Sequence, residues 1–267
     1  MPVLICKAVS IGWRLRRRKQ VESALSPAGG ERGFKLLAIR ATLPAICQKP
    51  EEQVVSIAAE SAEFPQDLIE RWRRIPVPVI VDLAAECQID IAIRPLCSAG
   101  RQPALFGRAV TARCAAPDFG PVLRAIGLIS AGEVLVIDAA GVAEWAMIGD
   151  VLGGHLHRIG VAGIVCDGAV RDTGALAEMT GLSVYARHIN PRGPIGAAGT
   201  EVNVSVTIGG CPVSSGDLII GDDDGLAALT PAQAAALIDR AEAKLVLEAE
   251  WNRRLASDEP IGQIFGL

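Results

Sequence analysis

Aromatic residues are scarce in this chain: five Phe, four Trp and one Tyr make up 4% of it. That leaves no series of stacking faces for the bases of a single-stranded nucleic acid. Positive charge is not in excess either, and a formal net charge of -4 works against non-specific attraction to nucleic acid or an anionic membrane. No apolar run reaches the roughly 18 residues of a membrane-spanning helix. There are three histidines, and the seven cysteines never form a CxxC pair, so a structural zinc site has no ligand set of the usual spacing. The cysteines (Cys6, Cys47, Cys87, Cys97, Cys114, Cys166 and Cys211) are odd in number and lie mostly in apolar stretches such as Gly163-Ile164-Val165-Cys166. They read as reduced, buried thiols of a cytoplasmic protein.

Half of the 267 residues are hydrophobic and 21% are charged, which describes a globular chain of one domain plus an appendage. With no global positive field, a small anionic substrate would need local cationic groups or a metal. The appendage is residues 1–60. This stretch holds ten Lys/Arg against five Asp/Glu, whereas the remainder holds 16 against 25. It carries the basic run Arg14-Leu15-Arg16-Arg17-Arg18-Lys19 and no acidic residue before Glu22. An extension, an organelle-targeting segment, or upstream sequence read from a misplaced start all fit. The reading adopted is a poorly ordered extension without catalytic consequence, with the domain proper over 61–267.

From Phe64 the pattern is regular. Phe64 to Trp72 reads as a short helix with proline near its first turn, and Val77 to Ala84 leads into another. Ala109–Cys114, Glu133–Asp138, Gly163–Asp167 and Leu182–Ala186 read as strands, the later ones buried. Ala146 to Ile159 reads as helical, with Gly153-Gly154 its weak point, and Gly174 to Thr180 as a helix closed by Gly181. Alternating short apolar strands and helices predict an α/β layer structure. The tail then alternates with period two over Val202–Ile208. It turns at Gly209-Gly210, returns over Pro212–Ile220, and turns again at Asp222-Asp223-Asp224-Gly225 before Leu226–Leu229. These are antiparallel segments. Thr230-Pro231 then caps a long helix to about Ala256.

The chemistry-bearing segment is Gly149-Asp150-Val151-Leu152 followed by Asp167-Gly168-Ala169-Val170-Arg171-Asp172. Twenty residues separate Asp150 from Arg171-Asp172. Asp150 falls at a strand-to-helix connection, where free backbone amides accept an anion. Arg171 and Asp172 follow the next buried strand, and neighbouring strand ends in an α/β sheet bring such loops together. An arginine suits bidentate recognition of a 2-oxo carboxylate, and a carboxylate suits a hard cation such as Mg²⁺. A buried ion pair with no catalytic role would produce the same spacing.

This pattern of Asp, twenty residues, then Arg-Asp is preceded by Gly-Asp-x-Leu and followed by a late Gly-Asp-x-Asp-Gly turn. In that form it resembles the RraA-like family. The likeness runs from about Phe64 to Leu267 and takes in Gly107–Thr111, Gly132–Asp138 and Gly160–Val165. That family includes 4-hydroxy-4-methyl-2-oxoglutarate aldolases, which also decarboxylate oxaloacetate, and the regulator of ribonuclease E activity A. The resemblance implies a swivelling-type α/β/β domain with a mixed sheet, a C-terminal antiparallel section and a long C-terminal helix, assembled as a homotrimer or hexamer. It implies that the amides of Gly149, Asp150, Val151 and Leu152 hold a pyruvate carboxylate. Arg171 would bind substrate and stabilise an enolate oxygen, and Asp172 would bind a divalent metal, Mg²⁺ or Mn²⁺. Asp150 would orient a water on that metal or help move protons. A glutamate from a neighbouring subunit's C-terminal helix completes the family's aldolase site. Aligning on Arg254-Leu255 makes it Glu248, with Glu250 as rival. No lysine accompanies the motif, so a Schiff-base aldolase is not indicated.

Other features are given plainer roles. His155 and His157, at i and i+2, do not share a helix face. Asp222-Asp223-Asp224 between glycines reads as an acidic turn and not a calcium loop. Gly193–Gly199 lacks the lysine of a phosphate loop and reads as an irregular active-site or subunit-contact loop. Arg187, His188 and Arg192 are candidates to meet a substrate's distal carboxylate.

Overall fold

The computed structural model describes residues 64–257 and 259–266, so the expectations for residues 1–60, Cys6 and Cys47 lie outside the described residues. Helices α1 (Gln66–Trp72) and α2 (Val77–Leu83) open the domain, each with proline at its start, where no amide hydrogen is needed. The strands that follow are β1 (Arg94–Pro95), β2 (Leu105–Arg113), β3 (Val134–Asp138), β4 (Ala146–Ile148), β5 (Gly163–Val170) and β6 (Ser183–Ile189). Between them lie α3 (Gly120–Ile126), α4 (Asp150–Arg158) and α5 (Thr173–Ala177). The tail supplies β7 (Val206–Ile208), β8 (Cys211–Val213), β9 (Leu218–Gly221), β10 (Leu226–Leu229), α6 (Pro231–Leu255) and α7 (Ile261–Phe265).

The main sheet has the order β1-β6-β5-β3-β2-β9-β10, and β7 and β8 pair separately. β2, β3, β5 and β6 are mutually parallel, while β1, β9 and β10 join antiparallel, giving the mixed sheet and antiparallel tail expected. All eight residues of β5 are buried, as a parallel strand covered on both faces requires. One face carries Ile164, Cys166 and Val170 against α3, α4 and α5. The other carries Val165 against Val206, Ile208 and Val213 of the β7–β8 hairpin. A third cluster joins α1, α2 and α6 through Trp72, Ile80, Leu237 and Ile238. The start of α6 is a capping box. Thr230 Oγ1 accepts from the Gln233 amide, and the Gln233 side chain accepts from the Thr230 amide.

Two sequence expectations change. Ala146–Ile148 is not helical but forms β4, fully buried and paired parallel with the end of β5, so the helix begins only at Asp150. Pairing with the end of β5 favours the extended form there, and Gly149 stays extended (φ -151°, ψ -161°). The 202–208 alternation yields a short strand only over Val206–Ile208, with Val202 making an isolated bridge to Ala112. Cys87, Cys114, Cys166 and Cys211 are free and buried, and burial pushes the Cys114 thiol up to about 12. Among the described residues no helix is long and apolar enough to cross a membrane.

Candidate active site

The site is made by a change of partner along β5. Its first half, from Gly163 to Asp167, pairs with β3. Beyond Asp167 that edge is taken by β4, with Ala146 opposite Ala169 and Ile148 opposite Val170, while the pairing with β6 on the other edge is irregular between Cys166 and Ala169. Strand β4 therefore ends beside the end of β5. The Arg171 amide donates to the Ile148 carbonyl at 3.0 Å, which sets Gly149-Asp150 next to Arg171-Asp172. The twenty-residue spacing is thus one β4–α4–β5 crossover.

Within the cluster, Arg171 Nε lies 3.4 Å from Asp172 Oδ2, and the Asp150 amide approaches the same oxygen at 3.4 Å. Both side chains are about two-fifths exposed (39% and 41%), so solvent and small solutes reach them. Asp172 adopts a left-handed backbone (φ 55°), which a non-glycine residue takes only at a cost. Gly149 is needed for the approach. A Cβ there would sit 2.5 Å from Asp172 Oδ2 and 2.8 Å from Arg171 Cγ. The first intrahelical bond of α4 runs from the Gly153 amide to the Gly149 carbonyl at 2.9 Å, so the amides of Asp150, Val151 and Leu152 precede the helical ladder. Val151 is 74% exposed at this helix start, whereas Leu152 packs on the core.

Gly149→Ala therefore tests the geometry without removing a functional group. The added methyl should displace the Asp172 carboxylate or the Arg171 stem and lower about tenfold or more whatever turnover this cluster supports. Steady-state kinetics beside a thermal melt will show it. Unaltered kinetics would mean that the close packing is irrelevant to turnover.

The glycine-rich loop borders the same cluster. A Cβ on Gly193 would come within 2.5 Å of Arg171 Nη1, so the backbone there touches the guanidinium. Farther along, Asp118 clasps the loop: its carboxylate accepts from the amides of Ala198 (2.7 Å), Gly199 (3.1 Å) and Gly120 (2.7 Å). Burial opposes ionisation of Asp118, but those three amides outweigh it and hold its carboxyl below the usual range. Sequence reasoning missed Asp118, because one carboxylate eighty residues from a loop carries no local signature.

Glu248 is not brought to the cluster within one chain. It lies on α6 and pairs with Lys244 at 3.1 Å, and Lys244 also reaches Asp82 at 3.0 Å. Its rival Glu250 pairs with Arg253. Arg187 does not face the cluster either. Its Nε donates to Asp167 Oδ1 (2.5 Å) and its Nη1 to Asp90 Oδ2 (2.8 Å). The reason is strand alternation: Asp167 follows Val165, and Arg187 follows Tyr185, on the hairpin face, where the other Asp167 oxygen accepts from the Gly209 amide at 2.6 Å. These groups line a separate open cleft of ≈ 600 Å³ with Asp138 and Thr207. His157 Nε2 meets the Thr180 carbonyl at 2.8 Å. In the acidic turn, Asp222 and Asp223 accept from the amides of Val77 and Gly100.

The family model RraA-like, Aldolase/RraA, matches residues 77–227. A Halalkalibacterium halodurans protein named "Putative 4-hydroxy-4-methyl-2-oxoglutarate aldolase" is 32% identical over 193 residues, covering 72% of this chain and 90% of that one. The structure of the RNA-processing inhibitor RraA from Thermus thermophilis is similar with a TM-score of 0.51 at 29% identity, covering 57% of this chain and 90% of its own. Streptomyces coelicolor RraAS2, described as an unusual member of the RNase ES inhibitor RraA protein family, gives a TM-score of 0.62 at 22% identity. It covers 72% of this chain and all of its own. In family model, in sequence and in fold alike, the chain belongs to the RraA-like family.

Proposed function

We propose that this chain is a divalent-metal-dependent lyase cleaving 4-hydroxy-4-methyl-2-oxoglutarate or a related 4-hydroxy-2-oxo acid to pyruvate, and decarboxylating oxaloacetate at the same site. The observation that carries the reading is the meeting of Arg171, Asp172 and the first amides of α4 in one crossover. Asp172 suits a hard cation: its carboxylate is part-exposed and makes only long contacts of 3.4 Å. One protein carboxylate can serve such a cation. Mg²⁺ is commonly held that way, keeping water and substrate as its other ligands. When bound, the cation supplies Lewis-acid stabilisation of the substrate's C2 oxygen.

The chain's own groups do the rest. The amides of Asp150, Val151 and Leu152, at the positive end of α4, bind the substrate carboxylate. The Arg171 guanidinium faces the C2 oxygen. As the C3–C4 bond breaks, its electron pair passes to C3 and spreads onto that oxygen, where Arg171 stabilises the enolate. The C4 hydroxyl loses its proton through an intervening water to the Asp150 carboxylate, and C4 becomes a carbonyl. Protonation of C3 then gives pyruvate. Decarboxylation of oxaloacetate forms the same enolate. In the assembly we propose, a homotrimer or hexamer, Glu248 of a neighbouring subunit borders the site. The likeness to the Thermus RNA-processing inhibitor favours a second reading, a non-catalytic protein-binding regulator of a ribonuclease.

Pyruvate release from both substrates distinguishes the two. With Mg²⁺ present turnover is expected, and EDTA should lower it at least a hundredfold, with recovery on adding Mg²⁺ or Mn²⁺ (about 3 kcal/mol per electrostatic contribution). Turnover indifferent to EDTA would remove the metal from the mechanism. No turnover, together with ribonuclease binding that ignores Asp172→Ala, would establish the regulator.

A further inference from the structure

Arg192 is exposed, yet its position is fixed from several sides. Its amide donates to Asn190 Oδ1 at 2.8 Å, and its carbonyl accepts from the Ala146 amide at 2.8 Å. Asn190 is itself anchored, its Nδ2 donating to the Ala143 carbonyl at 2.9 Å. The guanidinium lies 5.0 Å from the centroid of the Trp145 ring, a cation–π stack that restrains the side chain. No carboxylate pairs with it among the described residues, although Arg71, Arg113, Arg187, Arg253 and Arg254 all have such partners.

The next residue, Gly193, is the one whose backbone touches Arg171. Trp145 immediately precedes β4, the strand that starts at Ala146 and ends just before Gly149. Arg192 is therefore attached on both sides to the elements that frame the cluster. It offers a second guanidinium, without a carboxylate partner among the described residues, on the residue next to the glycine that packs on Arg171. A fixed cation with open donors is suited to a carboxylate, and its ordering cost is already met before substrate arrives.

We infer that Arg192 is the specificity-determining residue of this site. It pairs with the distal carboxylate of a 2-oxo dicarboxylate whose reacting end Arg171 holds. The inference rests on the reading of the cluster as a 2-oxo acid site. Arg187, five residues earlier, is not free for that role, because its guanidinium is committed to Asp167 and Asp90.

Two unreactive probes test it by calorimetry on the full chain with Mg²⁺: 2-oxoglutarate, which has a distal carboxylate, and 2-oxobutyrate, which lacks one. Arg192→Ala is expected to weaken 2-oxoglutarate about 10- to 100-fold, the range for a charge-assisted pair, and to leave 2-oxobutyrate within about twofold. Arg192→Lys should retain part of the preference. Equal weakening of both probes, or an unchanged affinity for 2-oxoglutarate, would overturn the assignment while leaving the 2-oxo acid site intact. A folded wild type that binds neither probe would overturn the site reading itself, and this inference with it.

Discussion

Arg171→Ala should lower kcat/KM for pyruvate release by about 10²- to 10³-fold, with little change in the melting temperature. In the mechanism we propose, Arg171 is a preorganised donor aimed at the oxygen on which charge develops, worth about 3–4 kcal/mol in the transition state. The small stability effect follows from exposure: the side chain is 39% accessible, and its one ion pair, with Asp172, is long at 3.4 Å. Arg171→Lys should recover only part of the rate, because an ammonium keeps the charge but loses the planar fork. Steady-state kinetics on both substrates provides the check. A fall in kcat with KM little changed would place Arg171 on the enolate. A rise in KM alone would make it a ground-state carboxylate binder, and kinetics within about threefold of wild type would remove it from the mechanism.

A change of a different kind is expected at Asp167. Asp167→Ala should cost about 3 kcal/mol of folding stability, the lower end of what breaking a buried pair costs. Asp167 is 5% exposed. Its carboxylate serves the Arg187 guanidinium on one oxygen and the Gly209 amide on the other, and its carbonyl accepts from the amides of Ala139 and Gly141. Removing the carboxylate strands a guanidinium whose side chain is only 17% exposed. Asp90 remains to pair with it, but is itself 41% exposed and offers a more solvated contact. Urea unfolding with an unchanged m-value would report the loss cleanly. A loss below about 1 kcal/mol would show that water or Asp90 replaces the lost partner.

What is legible in the sequence is mostly periodic or local. The apolar runs Val134–Ile137 of β3 and Ile164-Val165-Cys166 of β5 announce themselves as buried strands, and Thr230-Pro231 with Gln233 marks the start of α6. The pairing of Asp150 with Arg171-Asp172 is legible because a single crossover connects them, so spacing along the chain translates into proximity. β4 reads wrongly as helix because three buried residues, Ala146-Met147-Ile148, have no period of their own. Only the neighbouring strand decides their conformation. The ion pairs of Arg187 and the clasp made by Asp118 are illegible for a related reason. Their partners lie tens of residues away or on a neighbouring strand, and are chosen by strand pairing and by the loop's backbone.

The crossover from Ala146 to Asp172 also divides labour between inheritance and innovation. Nearly everything aimed at the reacting end is contributed by one continuous stretch and bolted to the sheet by backbone bonds. The opposing wall, from Asn190 to Gly199, is a separate loop that packs Gly193 on Arg171, is bonded to the sheet at Asn190 and Arg192, and is pinned farther on by Asp118. Apart from Gly193, side chains of that wall can therefore change without moving the guanidinium we propose stabilises the enolate. A lineage built on this scaffold can exchange what it accepts at the far end while its bond-breaking step stays the same, as expected where a rigid scaffold presents variable loops.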